Sequence, residues 1–282
     1  MTDSKTGLLG LIGDPVEHSL SPLLHSFLIS RAGLNFCYLA FRVSKGRVSE
    51  ALSGMRALGI RGLNVTIPHK EAVVPYLDRL SPEAEAVGAV NTIANRDGEL
   101  VGCNTDIQGF LAPLRARRIR LIGAKALVIG AGGGAAAVAY GLLSAGAEVA
   151  LTSRTSERAL ALARRLSQFG TVSVHPLEGL PALLGEADLL VNATPVGMHP
   201  HPEGCPLSPD LLSEGLLVYD LVYNPTPTRL LQEAAQRGAV PIGGLEMLAW
   251  QGAKALELWT GHRFPREDIE AALSHLKEAL HG

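Results

Sequence analysis

The segment at residues 130–135 constrains the fold more than any other part of the sequence. It reads Gly-Ala-Gly-Gly-Gly-Ala, follows the short apolar run 127–129 and leads into a helical pattern at 135–144. This is the G-x-G-x-x-G/A pattern in its required context of strand, tight turn and helix, where N–H groups of the helix N-terminus bind a pyrophosphate. A flexible loop or close packing of small residues is the alternative explanation. The expected dinucleotide contacts are Gly130, Ala131, Gly132, Gly133 and Gly134.

The sequence after the next predicted strand, 148–151, indicates which dinucleotide to expect. An NAD-binding domain usually has an acidic residue about 20 positions after the glycines, where it binds the ribose 2′-hydroxyl. Here the acid is displaced to Glu157, between two arginines. Arginine forms bidentate, charge-assisted bonds with phosphate, so the segment favours NADP over NAD, although Arg158 could also be a solvated residue at a helix start. The expected contacts with the 2′-phosphate are Ser153, Arg154, Thr155 and Arg158.

The pattern of apolar residues predicts an α/β fold. Short apolar runs alternate with helical patterns in both halves of the chain, which is typical of successive β-α-β units. The predicted strands are 8–12, 37–41, 63–66, 126–129, 148–151, 188–191 and 216–220. The predicted helices are 22–32, 48–58, 135–144 and 156–168, with two more in the tail 243–282.

The chain is long enough for two domains, because 282 residues exceed the size at which one hydrophobic core usually keeps growing. We predict an N-terminal α/β domain, formed by residues 1–106 together with helices that return to it at 243–282. Residues 107–242 form the second domain, which begins with a connector helix and contains a Rossmann-type parallel sheet. The glycine-rich segment places the dinucleotide in this second domain.

Composition and charge exclude several classes of protein. Hydrophobic residues make up 47% of the chain and charged residues 18%, as is usual for a globular enzyme. The formal net charge is −2, so there is no overall positive field that would attract nucleic acid or an anionic membrane. Glycines interrupt the uncharged run 126–147, which therefore predicts a strand, a turn and a buried helix instead of a membrane span. We expect a small molecule as the partner.

The cysteines and histidines give no sign of a disulfide or a metal site. Three widely spaced cysteines without a C-x-x-C motif, and an N-terminus too short in apolar residues for a signal peptide, predict a cytoplasmic protein. His199, His201 and Cys205 suggest a metal-binding tract, but interspersed prolines and the lack of a fourth spaced ligand predict a plain loop. We expect no metal, and a monomer and a homodimer are both compatible with the sequence.

Two groups of polar residues in the first half could form a site. Ser19 and Ser21 precede a predicted helix, where they would either cap it or bind a carboxylate. Asn64, Thr66 and Lys70 belong to a segment that ends a predicted strand, at the edge where α/β proteins bind ligands, and we expect the chain to continue there into a helix. Lys70 is either a solvated lysine or an acid–base group whose pKa is lowered by partial burial.

A third polar run, Asn104, Thr105 and Asp106, precedes the connector helix. All three residues have the chemistry of a helix N-cap, so capping explains at least one of them. Three are more than a cap needs, and Asp106 is therefore also a candidate for the site.

These motifs resemble those of the shikimate dehydrogenase family, in order and over nearly the whole chain. The matching stretches are 13–22, 64–70, 88–92, 104–106, 130–134, 192–198, 219–223 and 247–251. The resemblance implies reversible, NADPH-dependent reduction of 3-dehydroshikimate to shikimate, in the shikimate pathway of aromatic amino acid biosynthesis. The cofactor then supplies the hydride, and the protein supplies orientation, acid–base assistance and exclusion of water.

The resemblance also implies a role for each residue of the site. Lys70 would be the acid–base residue, with Asp106 as its partner in a dyad. The substrate carboxylate would be bound by Ser19, Ser21 and Tyr223. The ring hydroxyls would be bound by Thr66, Asn91 and Gln251, with Asn64 supporting the site. The nicotinamide side would be lined by Leu221 and Gly244, with Thr194 in reach of the cofactor.

The sequence departs from the family in ways that bear on the cofactor. Ser153 stands where the family often has Asn, and Ala137 lies near a position where it often has Arg, so phosphate contacts are expected to differ in detail. A relative that also accepts quinate and NAD would have an acid in place of the arginine-rich segment 152–158. A dinucleotide sensor without activity would keep the glycines but would not need Lys70, Asp106 and Gln251 together.

Overall fold

The computed structural model describes residues 3–281, which form two compact units. The first unit comprises Met1–Gly109 and Ala249–Gly282, and the second comprises Phe110–Leu248. These junctions lie a few residues beyond those expected from the sequence, at 106 and 243. The shift arises because both junctions fall inside helices, so one part of each helix belongs to the first unit and the other part to the second.

The first unit is built from the N-terminal strands and helices. Its strands are β1 (Gly7–Gly13), β2 (Phe36–Arg42), β3 (Gly62–Val65), β4 (Arg79–Leu80), β5 (Thr92–Arg96) and β6 (Glu99–Cys103). Its helices in this part of the chain are α1 (Ser21–Arg31), α2 (Val48–Ala57), α3 (Pro82–Val87) and the start of α4 (Asp106–Ala116).

The sheet of the first unit is mixed, in the order β2-β1-β3-β5-β6-β4. The predicted β-α-β units form its parallel part, in which β1 pairs with both β2 and β3. The antiparallel strands β5 and β6 were not predicted, because this short hairpin mixes small and polar residues with few large apolar ones. Its effect is to place the residues just before β5 and just after β6 beside the end of β3.

The prediction of a helix after Lys70 was wrong. Only one helical turn follows, in which Val73 N donates to His69 O, and then a 3₁₀ helix at Val74–Tyr76. The carbonyl of Lys70 accepts a hydrogen bond from Val90 N at 2.8 Å, whereas Val74 N donates to Glu71 O, so the α-helical pattern of bonds does not continue. Lys70 therefore lies in a loop that is attached to the segment before β5.

The second unit contains a sheet in which all strands are parallel. Its strands are β7 (Lys125–Ile129), β8 (Glu148–Thr152), β9 (Val172–His175), β10 (Leu189–Asn192), β11 (Leu217–Asp220) and β12 (Val240–Gly243). Its helices are α5 (Gly133–Ser144), α6 (Ser156–Leu166), α7 (Leu180–Leu184) and α8 (Arg229–Gln236). The order β12-β11-β10-β7-β8-β9 is the doubly wound order of a Rossmann fold, with the switch point between β7 and β10. The predicted strand, turn and helix around the glycine-rich segment are confirmed.

The two C-terminal helices are α9 (Gly244–Thr260) and α10 (Arg266–His281). Within the first unit, α10 packs against α1, and Arg31 Nε lies 2.5 Å from Asp268 Oδ1. Trp259, near the end of α9, donates from its indole nitrogen to Ile93 O at 2.9 Å. No helix among residues 3–281 is both long enough and apolar enough to cross a membrane.

We predict that Gly62→Ala destabilises the first unit, whereas Gly54→Ala does not. A Cβ atom at Gly62 in β3 would collide with the indole ring of Trp259, which its bond to Ile93 O holds in place. Overpacking of this kind costs about 1–3 kcal/mol. At Gly54, in α2, a Cβ atom meets nothing within 4 Å, so alanine should be neutral or stabilise the helix by up to about 1 kcal/mol.

Urea unfolding followed by tryptophan fluorescence measures this difference, because both tryptophans, Trp250 and Trp259, belong to the first unit. Equal unfolding midpoints for the two alanine variants would contradict the packing described here.

Candidate active site

Lys70 and Asp106 form an ion pair in the first unit. Lys70 Nζ lies 2.5 Å from Asp106 Oδ2, and the side chains are 20% and 6% exposed, respectively. The other carboxylate oxygen, Oδ1, accepts from Asn91 Nδ2 at 2.8 Å. The carboxylate is thus buried and held on both oxygens, while the ammonium remains accessible and can donate to a ligand. The interpretation of Lys70 as a fully solvated lysine does not fit this arrangement.

Asn91 is the centre of the polar cluster around this pair. Its Oδ1 accepts from the backbone N of Thr105 at 2.7 Å and from Thr92 Oγ1 at 3.0 Å. Since a backbone N–H can only donate, this contact fixes the carboxamide so that Nδ2 faces Asp106. The same Nδ2 lies 3.3 Å from Gln251 Oε1. The hairpin β5–β6 and helix α9 therefore bring Asn91 and Gln251, which are 160 residues apart, into one cluster.

Asp106 does not cap its own helix. It is the first residue of α4, its backbone N donates to Asn104 Oδ1 at 3.2 Å, and its carboxylate is bonded to Lys70 and Asn91. Asn104 in turn donates to Ala89 O at 2.8 Å. Of the three residues with capping chemistry, Asp106 belongs to the polar cluster through its carboxylate, and Thr105 belongs to it through its hydroxyl, which accepts from Asn91 Nδ2 at 2.9 Å.

The two serines do not occupy the N-cap position of α1, which is taken by Leu20 without a side-chain hydrogen bond. Ser19 Oγ accepts from Ser21 N at 3.2 Å, which orders the turn before the helix. Ser21 is buried at the first position of α1, and Ser19 is half-buried. Thr66, also half-buried, follows β3 directly. These three hydroxyls lie after β1 and β3, which are adjacent parallel strands, and so share the carboxyl edge of the sheet.

The side-chain amide of Asn64 is bonded to other residues of the first unit on both its oxygen and its nitrogen. It is buried in β3, its Oδ1 accepts from Tyr38 Oη at 2.8 Å, and its Nδ2 donates to Asn91 O and Thr92 Oγ1, both at 3.2 Å. Tyr38 in turn stacks on His25, with ring centroids 4.0 Å apart.

His25 was not singled out in the sequence, but it joins two parts of this site. It is fully buried in α1, and its Nδ1 lies 2.8 Å from Ser21 O. A carbonyl only accepts, so Nδ1 carries the proton of a neutral ring. Burial lowers the pKa of His25 to about 4, against the smaller opposing effect of backbone hydrogen bonds.

In the second unit, the strand register aligns the candidate cofactor residues along one edge. Ile129 pairs with Thr152 and with Asn192, Asn192 pairs with Asp220, and Asp220 pairs with Gly243. Since each of these residues ends its strand, the residues that follow them form one row at the carboxyl edge of the sheet. This row consists of Gly130, Ser153, Ala193, Leu221 and Gly244.

The turn after β7 is shaped for a phosphate group. Gly130 has φ of +129°, and a Cβ atom there would lie 2.9 Å from Ala193 O, so only glycine fits. Gly132 is the N-cap of α5, and a Cβ atom there would meet nothing within 4 Å. Open space at the start of a helix, bounded by glycine backbone, fits a pyrophosphate. Ala131, Gly133 and Gly134 complete the turn, and Ala135 is buried where the helix packs on the sheet.

The segment after β8 is exposed at the start of α6. Arg154, Thr155 and Arg158 are exposed, and Ser153 Oγ accepts from Thr155 N at 3.3 Å. Thr155 occupies the N-cap position of α6 without a side-chain cap bond. Two exposed guanidinium groups beside a helix N-terminus can bind a phosphate.

Two buried polar residues of the second unit were not predicted individually, namely Asn192 and Asp220. Asn192 Nδ2 donates to Asp220 Oδ1 at 2.9 Å, and Asn192 Oδ1 accepts from Thr194 Oγ1 at 2.7 Å. Burial raises the pKa of Asp220 to about 6, although the hydrogen bonds that it accepts oppose this effect. The sequence signal that identifies them is an amide or acidic residue at the last position of an apolar strand. Tyr223, half-buried, lies three residues after Asp220 in the second unit.

Among residues 3–281, no group of three or more His, Cys, Asp or Glu side chains could hold a metal ion. His201 is 80% exposed beside Glu203 in the loop that the sequence suggested as a metal tract. Cys205 is half-buried in the same loop.

Known proteins resemble the chain over nearly its whole length. Three family models match it: the shikimate dehydrogenase substrate binding domain at residues 11–93, shikimate/quinate 5-dehydrogenase at 114–199, and the shikimate 5′-dehydrogenase C-terminal domain at 244–273. The shikimate dehydrogenase (NADP(+)) of Moorella thermoacetica is 46% identical over 99% of this chain and 96% of its own length. That of Methanopyrus kandleri is 47% identical over 98% of each chain.

A solved structure is similar in fold as well as in sequence. The crystal structure of shikimate 5-dehydrogenase from Thermus thermophilus in complex with NADP(H) and shikimate superposes with a TM-score of 0.85. It is 44% identical, and the match covers 95% of this chain and 98% of the other.

We predict that His25 makes the fold less stable in acid. Its pKa is about 4 in the fold and 6.5 in the unfolded chain, so the unfolded chain binds the proton first as the pH falls below 6.5. Stability from this group is complete above pH 6.5 and is lost towards pH 4, by up to about 3 kcal/mol.

The free energy of unfolding should therefore fall less between pH 7 and about 4 in His25→Phe, which keeps an aromatic ring but cannot titrate, than in the wild type. His201→Gln, a change at an exposed histidine, should keep the wild-type slope. An identical slope for His25→Phe and the wild type would contradict the burial of a neutral histidine.

Proposed function

Because the chain belongs to the shikimate dehydrogenase family, we propose that it catalyses the reversible, NADPH-dependent reduction of 3-dehydroshikimate to shikimate. The observation that carries this proposal is the buried Asp106 carboxylate, held by Asn91 and paired with the accessible ammonium of Lys70. A ketone reduction needs a proton donor at the oxygen on which charge develops, and this pair supplies one. The relatives that match the chain from end to end carry the same activity in their names.

Lys70 acts as the acid in the direction of reduction. As hydride from bound NADPH reaches the carbonyl carbon, Lys70 Nζ donates a proton to the alkoxide oxygen, and in the reverse direction the amine takes the proton back. Asp106 holds Nζ at 2.5 Å, which fixes the position of the ammonium. Accurate placement of the donor lowers the entropic part of the barrier, because the group does not have to be ordered during the reaction.

The side chains of the polar cluster can form hydrogen bonds with the hydroxyl groups of the substrate ring. Asp106 can accept from a hydroxyl beside the reacting carbon, while Asn91 and Gln251 offer amide groups whose orientation the cluster already fixes. Thr66 adds a hydroxyl at the end of β3. A site of this kind rejects analogues that lack a hydroxyl, because its buried polar groups would then be left without partners.

We assign the substrate carboxylate to Ser19 and Ser21. The hydroxyls lie at the start of α1, where backbone N–H groups and the helix dipole favour an anion. The negative end of the substrate would then lie over α1, with its ring over the polar cluster of the same unit.

We assign NADP as the cofactor, bound at the carboxyl edge of the second sheet. The turn 130–134 would hold the pyrophosphate, and Ser153, Arg154, Thr155 and Arg158 the 2′-phosphate. Leu221 and Gly244 lie in the row of residues that follows β11 and β12, and Thr194 lies beside that row after β10, so these three would line the nicotinamide side. The Thr194 hydroxyl and the Thr194 backbone N both donate hydrogen bonds to Asn192 Oδ1, so Thr194 would contact the cofactor through its carbonyl or its methyl group.

The cellular setting follows from the same proposal. The three cysteines are separate thiols, which suits the reducing cytoplasm where the shikimate pathway supplies aromatic amino acid and chorismate biosynthesis. We propose that the partners are the small-molecule substrate and cofactor alone, without nucleic acid, in a monomer or a homodimer.

The experiment that tests this function measures absorbance of the reduced nicotinamide with shikimate or quinate, each combined with NADP or NAD. We expect a strong signal with shikimate and NADP and weak signals elsewhere. Lys70→Met keeps a side chain of similar length without a proton to donate, so its turnover should fall by about 10²–10⁴-fold. Because Lys70 lies in the first unit and the NADP residues in the second, NADPH binding by this variant should stay at the wild-type level.

Each of the other outcomes would contradict one part of the proposal. Equal rates with NAD would contradict the assignment of Arg154 and Arg158 to a 2′-phosphate. Absence of turnover with shikimate, from protein that binds NADPH, would contradict the substrate. Nearly full turnover by folded Lys70→Met would contradict the role of the lysine.

A further inference from the structure

Asp220 is a completely buried carboxyl group at the end of β11 that the proposed reaction does not use. Three donors converge on it. Its Oδ1 accepts from Asn192 Nδ2 at 2.9 Å and from Val222 N at 3.1 Å, and its Oδ2 accepts from Thr228 Oγ1 at 2.6 Å. A buried carboxyl is costly to desolvate, so a purely apolar residue would serve the sheet better if packing were its only role.

The first of these bonds sets the direction of the Asn192 carboxamide. A carboxylate can only accept, so it draws Nδ2 towards itself and leaves Oδ1 on the other side. There Oδ1 accepts from Thr194 N at 3.1 Å and from Thr194 Oγ1 at 2.7 Å. Thr194 Oγ1 accepts in turn from Val196 N at 3.2 Å. Asn192 Nδ2 also donates to Val196 O at 3.2 Å, so the Asn192 carboxamide connects Asp220 to the loop after β10.

The other two bonds fix both ends of the segment after β11. The bond from Val222 N forms the turn directly behind the strand, and the bond from Thr228 Oγ1 comes from the far end of the segment. Thr228 is also the N-cap of α8, where its Oγ1 accepts from Leu231 N. The residues between these two anchors include Tyr223, and Leu221 lies immediately before the first.

We propose that Asp220 is a positioning residue for the cofactor side of the site, which holds the loops of Thr194 and of Leu221–Tyr223 in the arrangement that binds NADPH. This inference rests on the proposed function, because that function is what assigns these loops to the cofactor. Asp220 touches neither substrate nor cofactor in this role. It acts through the Asn192 carboxamide and through the two ends of the segment after β11.

The variant Asp220→Asn tests the role with almost no change in shape. An amide offers one accepting oxygen and one donating nitrogen, whereas the three groups that face Asp220 approach both of its oxygens as donors. At least one of them must therefore turn away or lose its partner. If the loops then adopt the binding arrangement in about a tenth of the molecules or fewer, the dissociation constant for NADPH rises by about tenfold or more.

Val218→Ala is the matched control. Val218 is completely buried in the same strand, two residues before Asp220, and takes no part in the polar network. It loses core packing, so its thermal unfolding midpoint should fall, while its dissociation constant for NADPH should stay within about twofold of the wild type. A residue with a merely structural role would behave like Val218, in that stability would change and affinity would not.

Two measurements on the full-length protein decide the matter, both at a temperature at which all variants are folded. Fluorescence titration gives the dissociation constant for NADPH, and hydrogen exchange of the ligand-free protein gives the protection of the amides of Thr194, Val196 and Val222. We expect Asp220→Asn to raise the dissociation constant and to speed exchange at these amides. Val218→Ala should not raise the dissociation constant, and it should not speed exchange at these amides more than at others.

Wild-type protein that does not bind NADPH would overturn the proposed function, and this inference with it. Wild-type binding together with an unchanged dissociation constant in Asp220→Asn would overturn the inference alone. Asp220→Asn that binds weakly but exchanges these amides at the wild-type rate would also overturn it, because the loops would then have kept their order.

Discussion

The ion pair between Lys70 and Asp106 is the interaction on which the rest of the first unit depends. A buried carboxylate is stable only when its oxygens are bonded, and a charge without its partner costs several kcal/mol, about 3–5 in cases where one member of a pair was removed. The fold provides those partners from distant parts of the chain. Lys70 comes from the loop after β3, Asn91 from the segment before β5, and Asp106 itself begins α4.

The geometry of this pair follows from hydrogen bonds that can run in one direction only. The backbone N of Thr105 fixes the oxygen of Asn91, so the nitrogen of Asn91 must face Asp106. The second unit uses the same principle at Asp220, where a carboxylate fixes the Asn192 amide. In both units, a backbone N–H group bonded to the asparagine oxygen directs the asparagine nitrogen towards a buried carboxyl group.

Much of the fold could be predicted from the sequence, because long segments have one clear period. The strand, glycine turn and helix at 125–144 and the four central strands of the second sheet follow from apolar runs and glycines, whereas the edge strands β9 and β12 were not predicted. The hairpin β5–β6 could not be recognised, since its strands are short and polar, and the helix expected after Lys70 is absent where Val90 N binds the Lys70 carbonyl. Local propensity contains no information on a contact of that kind.

The residues of the candidate site also differ in how far they could be predicted from the sequence. Lys70 and Asp106 could be named from the sequence, since they stand in motifs that match a family, although the residues alone left capping and solvation open. His25 could not, because its importance comes from burial and from partners that the fold supplies. Asp220 has one sequence signal, an acidic residue at the end of an apolar strand, but its three donors are known only from the fold. The supporting role of Asn64 stays a prediction, and the hydrogen bonds of its amide are all made within the protein. Residues with a direct chemical role are thus easier to recognise in a sequence than the residues that position them.

The central claim is that Lys70 and Asp106 work as one unit, and a double-mutant cycle on turnover tests it most directly. The rates to compare are those of Lys70→Met, Asp106→Asn and the double variant, each with saturating shikimate and NADP. If the two residues act together, either single substitution already removes their shared function. The double variant should therefore be about as slow as the slower single variant. If the two losses multiply instead, the residues act independently and the ion pair is not the origin of the proton transfer.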